Sequence, residues 1–507
     1  MWFLKKRVWN GMTTFKFRAN KPVEIPSPKK STEELGVVSL SSLMPGIPIP
    51  NISMADRVPR DERTFRWWLK KRVFDVHRGL MRLVPPMKAG LSPIDGNPHK
   101  ALRDAFTPTH AKLFPRPELP DEYIGEPDLG KLAVASPYFC YLERTDEGDF
   151  HWDFRQLGRY EHHAGLRSLA VRVRFRPDPL RQRLHAVRID SELGTSLPGH
   201  ANWPLARKIA LCAASTHMSL VRHLNWMHLT GGNALAIATR NCLPSTHPLL
   251  RLLWPHMYGT QSSNLFTIIG QLVPKGDYEA IFSLTHRGLC RLLEETHDDF
   301  DLAQLDPNED ARRRGLLDAH VKLKLPVLKN RQALYRVLRA HASRYLRLYY
   351  DSDASLRGDE HFRCWVNALD RLLPRGTQAV LGKSYTLESA AQLIASFIYL
   401  ETVEHESLGV GLWDYQAWTH VQPVRIYRNG QREPLDVYQR LINATFILHV
   451  QRTPLMADFS PLALDLKGAD AMSLFRAELR KLQRHTQRLA PAPWRITPRD
   501  LEANINA

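Results

Sequence analysis

From residue 203 onward, apolar positions recur at the three- to four-residue spacing of a helix that buries one face. This spacing predicts long helices over 203–229, 278–297, 333–350, 387–408 and 472–489. Just upstream the period changes. Leu169, Ala170, Val171, Arg172, Val173, Arg174 and Phe175 alternate apolar and basic residues, which predicts a strand with one exposed face. Residues 185–189 are its expected partner. Residues 61–84 read as helical, and 85–130 as irregular and rich in Pro and Asp. Residues 1–60 are rich in Pro, Ser and Lys and show little periodicity, so a mobile or loosely docked basic arm is expected there. The expected architecture is mainly α. It comprises the arm at 1–60, a helical and irregular extension at 61–130, and one large helical domain with a small β portion at 131–507.

Composition narrows the picture. Of the 507 residues, 43% are hydrophobic, enough for a large buried core, and the formal charge is +18. Such a surface attracts acidic small molecules or anionic membranes. No nucleic-acid module is recognisable, and the aromatics do not interleave with a basic stripe, so no nucleic-acid partner is expected. No apolar run reaches the ~20 residues that span a bilayer. Residues 1–7 and 67–83 mix aromatic and aliphatic side chains with Lys and Arg, and could lie flat on an anionic membrane or pack as ordinary amphipathic helices. The five cysteines, Cys140, Cys212, Cys242, Cys290 and Cys364, lie far apart and form no CxxC pair. This predicts a reducing, cytoplasmic setting, with neither a disulfide framework nor a zinc-thiolate site.

Three histidines, His217, His223 and His228, fall within one predicted helix in an otherwise apolar setting. Imidazole suits iron, zinc and copper. On a regular helix His217 and His228 share a face but lie roughly 16 Å apart, too far to share an ion. At most two of the three can bind one metal, and His223 must be one of them. Both pairs that include His223 are poorly phased on a regular helix, so a π-type bulge is expected.

The sequence around these histidines resembles the lipoxygenase family. Trp203 and Ala206 match the Trp-x-x-Ala opening of the family's iron helix. Ala238, Thr239, Leu243, Pro244, His247, Pro248, Pro255 and His256 match the run that follows it, and Asn264 matches a later Asn. His405, Gly411, Asp414 and Trp418 resemble the segment that carries the third iron histidine. The end of the chain, Leu501 to Ala507, resembles the tail whose terminal carboxylate binds iron. The likeness runs in outline from 130 to 507, and the family's common N-terminal β-barrel has no visible counterpart.

The resemblance implies one non-haem iron per chain, with manganese as the alternative, held by His223, His405, the Ala507 carboxylate and a fourth group. Counting from Trp203 puts Met218 at the first iron position. A register shift would present His217 instead, and pairing His223 with His228 would keep the family's four-residue separation. Gly409 stands where the family has Asn or His, and Leu412 where it has Gln. Asn264 and Thr267 are placed beside the ligands or the substrate channel. Glu404 and Glu406 flank His405 and are expected to point away from it, into solvent or beyond the ligands.

The implied reaction is a dioxygenation. A metal-bound water or hydroxide, rather than any side chain, takes hydrogen from a 1,4-diene lipid or fatty acid, and O2 adds to give a hydroperoxide. The departures at Gly409 and Leu412 also suit a hydroperoxide isomerase or a tailoring oxygenase. Met218 at a ligand position suits a non-catalytic binding protein.

Overall fold

The structure, a computed structural model, describes residues 25–28, 33–63, 120, 123, 125–318, 320–431, 437, 441, 453–490 and 492–505. It is mainly helical, as the apolar periodicity predicts. The β portion is a five-stranded antiparallel sheet in sequence order: β1 (Glu143–Arg144), β2 (Phe150–Asp153), β3 (Arg172–Asp178), β4 (Arg183–Ser191) and β5 (Gly194–Ser196). The two strands expected from alternation do pair, with Val173 opposite Ile189. Leu169–Val171 lies outside the ladder of strand pairs, and the Val171 carbonyl instead accepts the Phe154 N–H at 2.8 Å.

The helix expected over 278–297 is two helices. Asp277–Ile281 ends at Phe282, and α1 (His286–His297) begins where the Thr285 hydroxyl accepts the Gly288 N–H. That cap satisfies an end N–H which a continuous helix would bond internally. The centre of the fold is a layer of long helices. α2 (Pro326–Leu346) packs on α3 (Leu387–Tyr399), where the Tyr335 and Tyr399 rings meet at 5.5 Å. Its other side packs on α4 (Leu466–Thr486), with the His341 and Phe475 rings stacked at 4.1 Å.

Two expectations are corrected. The arm expected to be mobile or loosely docked is firmly packed over its described part from residue 33: Leu40, Ile47, Ile49, Ile52 and Met54 are fully or almost fully buried in the main core, with a short hairpin of Val37–Ser39 and Ser53–Ala55. Its apolar residues are too sparse to show a period, yet each finds a slot. Just past its end, Asp61 and Glu62 meet the buried Arg240 guanidinium at 3.0 and 2.7 Å. The cysteines are also not all free. Cys242 and Cys364, 122 residues apart in sequence, form a disulfide. It joins α5 (Asn233–Cys242) to α6 (Glu360–Leu372), a pairing that only packing brings about. Cys140, Cys212 and Cys290 remain free and buried. Most of the 61–130 extension lies outside the described residues. Among the described residues, no helix is long and apolar enough to cross a membrane.

Candidate metal centre

The first histidine-bearing helix is one continuous rod. It begins as α7 (Trp203–His217), widens into a π-helix over Met218–Gly232, and returns to α geometry in α5. The expected bulge is therefore a full fifteen-residue segment. Its geometry decides which histidines meet. A π-helix bonds i to i+5, so residues five apart fall on one face. His223 and His228 are five apart, and His217 is not in phase with either.

The second bearer is built the same way. α3 runs into a π segment over Leu400–Glu404, then a short α-helix over His405–Val410, then a second π segment over Gly411–Tyr415. His405 opens the α portion and faces the first rod. Its Nε2 lies 3.2 Å from His223 Nε2 and 3.2 Å from His228 Nε2. Nitrogens on one ion with ~2.0–2.1 Å bonds are separated by about 2.9 Å at right angles and about 3.4 Å in a tetrahedron. The observed separations fall in that window, so these three imidazoles fit a single metal ion. All three are buried, and among the described residues they are the one group of His, Cys, Asp or Glu placed to share an ion.

The electrostatics agree with this placement. Burial, reinforced by the charge each ring would feel from its neighbours, pushes His223 well below the ordinary imidazole range and His228 to about 3. Neutral rings keep a lone pair for a metal. Asn264 orients one of them. Its Oδ1 accepts from His228 Nδ1 at 3.3 Å, while its Nδ2 donates to the His228 carbonyl at 2.8 Å. With Nδ1 carrying the proton, His228 turns Nε2 toward its partners.

His217 is outside this cluster, which corrects the expectation that a register shift would present it. It ends the regular α portion, one residue before the π geometry begins. Its Nδ1 meets the Tyr141 hydroxyl at 3.1 Å and its Nε2 meets Gln156 Nε2 at 3.2 Å. Met218 packs rather than ligates: a Cβ on Gly411 would lie 2.7 Å from its sulfur. Gly409, one turn beyond His405, faces open space. Leu412 is buried and apolar. Thr267 ends the helix Thr260–Thr267, distal to Asn264.

The Ala507 carboxylate lies outside the described residues. The tail leading to it runs through the core beside the cluster. His256 Nδ1 donates to the Ala503 carbonyl at 2.7 Å, Asn504 Nδ2 donates to the Pro255 carbonyl at 3.0 Å, and the Ile505 N–H donates to Glu401 at 3.3 Å. Gly232 makes room, since a Cβ there would sit 2.9 Å from Glu401 Oε1.

Sequence reasoning passed over Glu401, Arg222, Arg331 and Gln416. The Gln416 amide donates to Ser219 Oγ at 2.7 Å and ties the second bearer to the first. Its signal was a lone amide four residues beyond Leu412, with nothing in the spacing to show its partner.

Comparison with known proteins settles the ancestry. The lipoxygenase family model matches residues 136–454. The chain belongs to the lipoxygenase family. It is 27% identical over 232 residues to the polyunsaturated fatty acid lipoxygenase ALOX15 of Mus musculus, a match covering 45% of this chain and 34% of that protein. The rabbit (Oryctolagus cuniculus) counterpart is 26% identical over 272 residues, covering 51% of this chain and 40% of the relative. These matches thus span well under half of the relatives' own length. In three dimensions, a lipoxygenase deletion variant solved anaerobically in complex with arachidonate superposes with a TM-score of 0.73 at 16% identity, covering 98% of this chain and 81% of that one. The chain therefore has the lipoxygenase fold.

Proposed function

We propose that this lipoxygenase-family chain is a non-haem iron dioxygenase that adds O2 to a polyunsaturated fatty acid, or a similar 1,4-diene lipid, to give a hydroperoxide. The observation that carries the reading is the convergence of three buried imidazoles, with the Nε2 atoms of His223 and His228 each 3.2 Å from that of His405. The relatives named above are fatty acid lipoxygenases, and one structural neighbour was solved with arachidonate. Bound iron would supply one-electron chemistry with O2 and a C–H donor. The chain's own contribution is to hold the ligands: Asn264 sets the His228 ring, and His256 and Glu401 anchor the tail at Ala503 and Ile505, two residues short of the Ala507 carboxylate that would complete the set.

The test is iron content by elemental analysis of untagged protein, followed by oxygen uptake with arachidonate and conjugated-diene absorbance. About one iron per chain with diene formation is the expected result. Iron-loaded protein that takes up no O2 with any polyunsaturated fatty acid would overturn the dioxygenase reading. A second reading has one observation in its favour. The open space at Gly409, where the family resemblance implies an Asn or His, leaves room for a hydroperoxide to approach the metal. Consumption of fatty-acid hydroperoxide without O2 uptake would favour an isomerase.

A further inference from the structure

Two of the three ligand candidates are each preceded by a charged residue, Arg222 before His223 and Glu404 before His405. Of the two expectations for Glu404, solvent or a place beyond the ligands, the structure shows the second. Its side chain is 5% exposed and lies between two guanidiniums: Arg222 at 3.6 Å, from the first ligand-bearing rod, and Arg331 at 3.2 Å, from α2. Arg331 also donates to Ser407 Oγ at 2.6 Å, two residues past His405. Arg222 is fixed along its length, with its guanidinium 5.8 Å from the Tyr141 ring and 5.2 Å from the Trp226 ring, and it donates to the Cys140 carbonyl at 3.4 Å.

This is an expensive arrangement for stability alone. Two cations share one carboxylate in a nearly dry interior, and an apolar replacement of such a group is often as stable or more so. What a buried ion pair can add is a unique register between elements. Register is the quantity at risk here, because both ligand bearers are π-helical at or beside the ligands, and π geometry is the least regular helical form. The Arg222–Glu404 pair joins the two bearers one residue from His223 and one residue from His405.

We infer that Arg222 and Glu404 form a clasp that sets the spacing of His223 and His405 and so governs how tightly the metal is held. Both are positioning residues, and Arg331 seats Glu404 without joining the two bearers. This rests on the metal-binding reading above.

The test compares two variants with the same charge count. Arg222→Met leaves a neutral Arg331–Glu404 pair and cuts the clasp. Arg331→Met leaves a neutral Arg222–Glu404 pair and keeps it. Iron loss from each reloaded protein to a chromogenic chelator is timed, and melting of the metal-free form reports folding. Arg222→Met is expected to lose iron roughly tenfold faster, a size typical of groups that orient ligands, while Arg331→Met stays within about twofold of wild type. Equal rates in the two variants, or an unchanged or slower rate in Arg222→Met, would overturn the clasp. If Arg222→Met does not fold, Arg222→Gln takes its place and is read the same way. Wild-type protein that takes up no iron defeats the metal reading itself, a result separate from any difference between the variants.

Discussion

Two histidine clusters in this chain use the same side chain for opposite ends. In the first, His223, His228 and His405 turn their Nε2 atoms toward one another, and the Glu406 carboxylate meets His405 at its other nitrogen, Nδ1, at 3.8 Å. In the second, His247 is closed on both sides: its Nδ1 accepts the Leu249 N–H at 3.2 Å and its Nε2 donates to Asp359 at 3.0 Å. The Tyr350 hydroxyl donates to the same carboxylate oxygen at 2.6 Å, and His361 donates to the Cys242 carbonyl at 3.1 Å. Both His247 and His256 belong to the run that resembles known lipoxygenases, yet each spends its ring on a protein partner. A buried histidine with both nitrogens used is mortar, and one whose free nitrogen meets others of its kind is a ligand candidate.

The contrast is tested first by removal. His223→Ala is expected to abolish iron binding, from about one ion per chain to none, whereas His247→Ala should leave metal content intact. Elemental analysis of both variants decides, and metal loss from the second alone would reverse the assignment. Next in size is an extension beyond Ala507, for example a short tag. It should strip most of the iron and activity if the tail delivers a ligand, and full loading of an extended chain would remove the terminal carboxylate from the ligand set.

Acid should separate the clusters by pH. His223 and His228 are held below their unfolded value of about 6.5, so the unfolded chain binds more protons than the native one as pH falls past that point. Stability of the metal-free protein should therefore decline from about pH 6.5 downward toward 3, where His228 titrates in the fold. Asp359 works in a lower window. Although burial opposes ionisation, the Tyr350 hydroxyl and neighbouring N–H groups bring it down to about 2. Its contribution is complete above about pH 4 and is lost as pH falls through 2. Melting curves of wild type and His228→Gln across pH 7–4 should converge toward the acid end of that range. The smallest effect belongs to Asp359→Asn, which should cost about 1–2 kcal/mol by weakening two hydrogen bonds and a helix cap, visible as a lower Tm with unchanged iron content.

Much of the helical layer is legible along the chain, because a helix that buries one face repeats every three to four residues whatever it packs against. The same is true of the strand pair around Val173 and Ile189. The docked 33–63 segment was not legible, since Leu40, Ile47, Ile49 and Ile52 occupy separate slots and leave no period. The split at Phe282 hinged on one hydroxyl, that of Thr285, choosing a cap. Within the site, His223 and His405 could be named from their surroundings, but the third member could not. Choosing between His217 and His228 depends on helix pitch, and pitch is set by packing along the whole rod.

By itself, the sequence determined that one helix would carry His217, His223 and His228, that a later helix would carry His405, and that no regular α-helix could phase a histidine pair onto one ion. These follow from residue order and fixed helical rise. Only the tertiary structure decided that a fifteen-residue π segment resolves the phase in favour of His228, that Glu404 is enclosed by Arg222 and Arg331, and that Cys242 meets Cys364. Each of those depends on which surfaces come together from distant parts of the chain, and local composition does not encode that pairing.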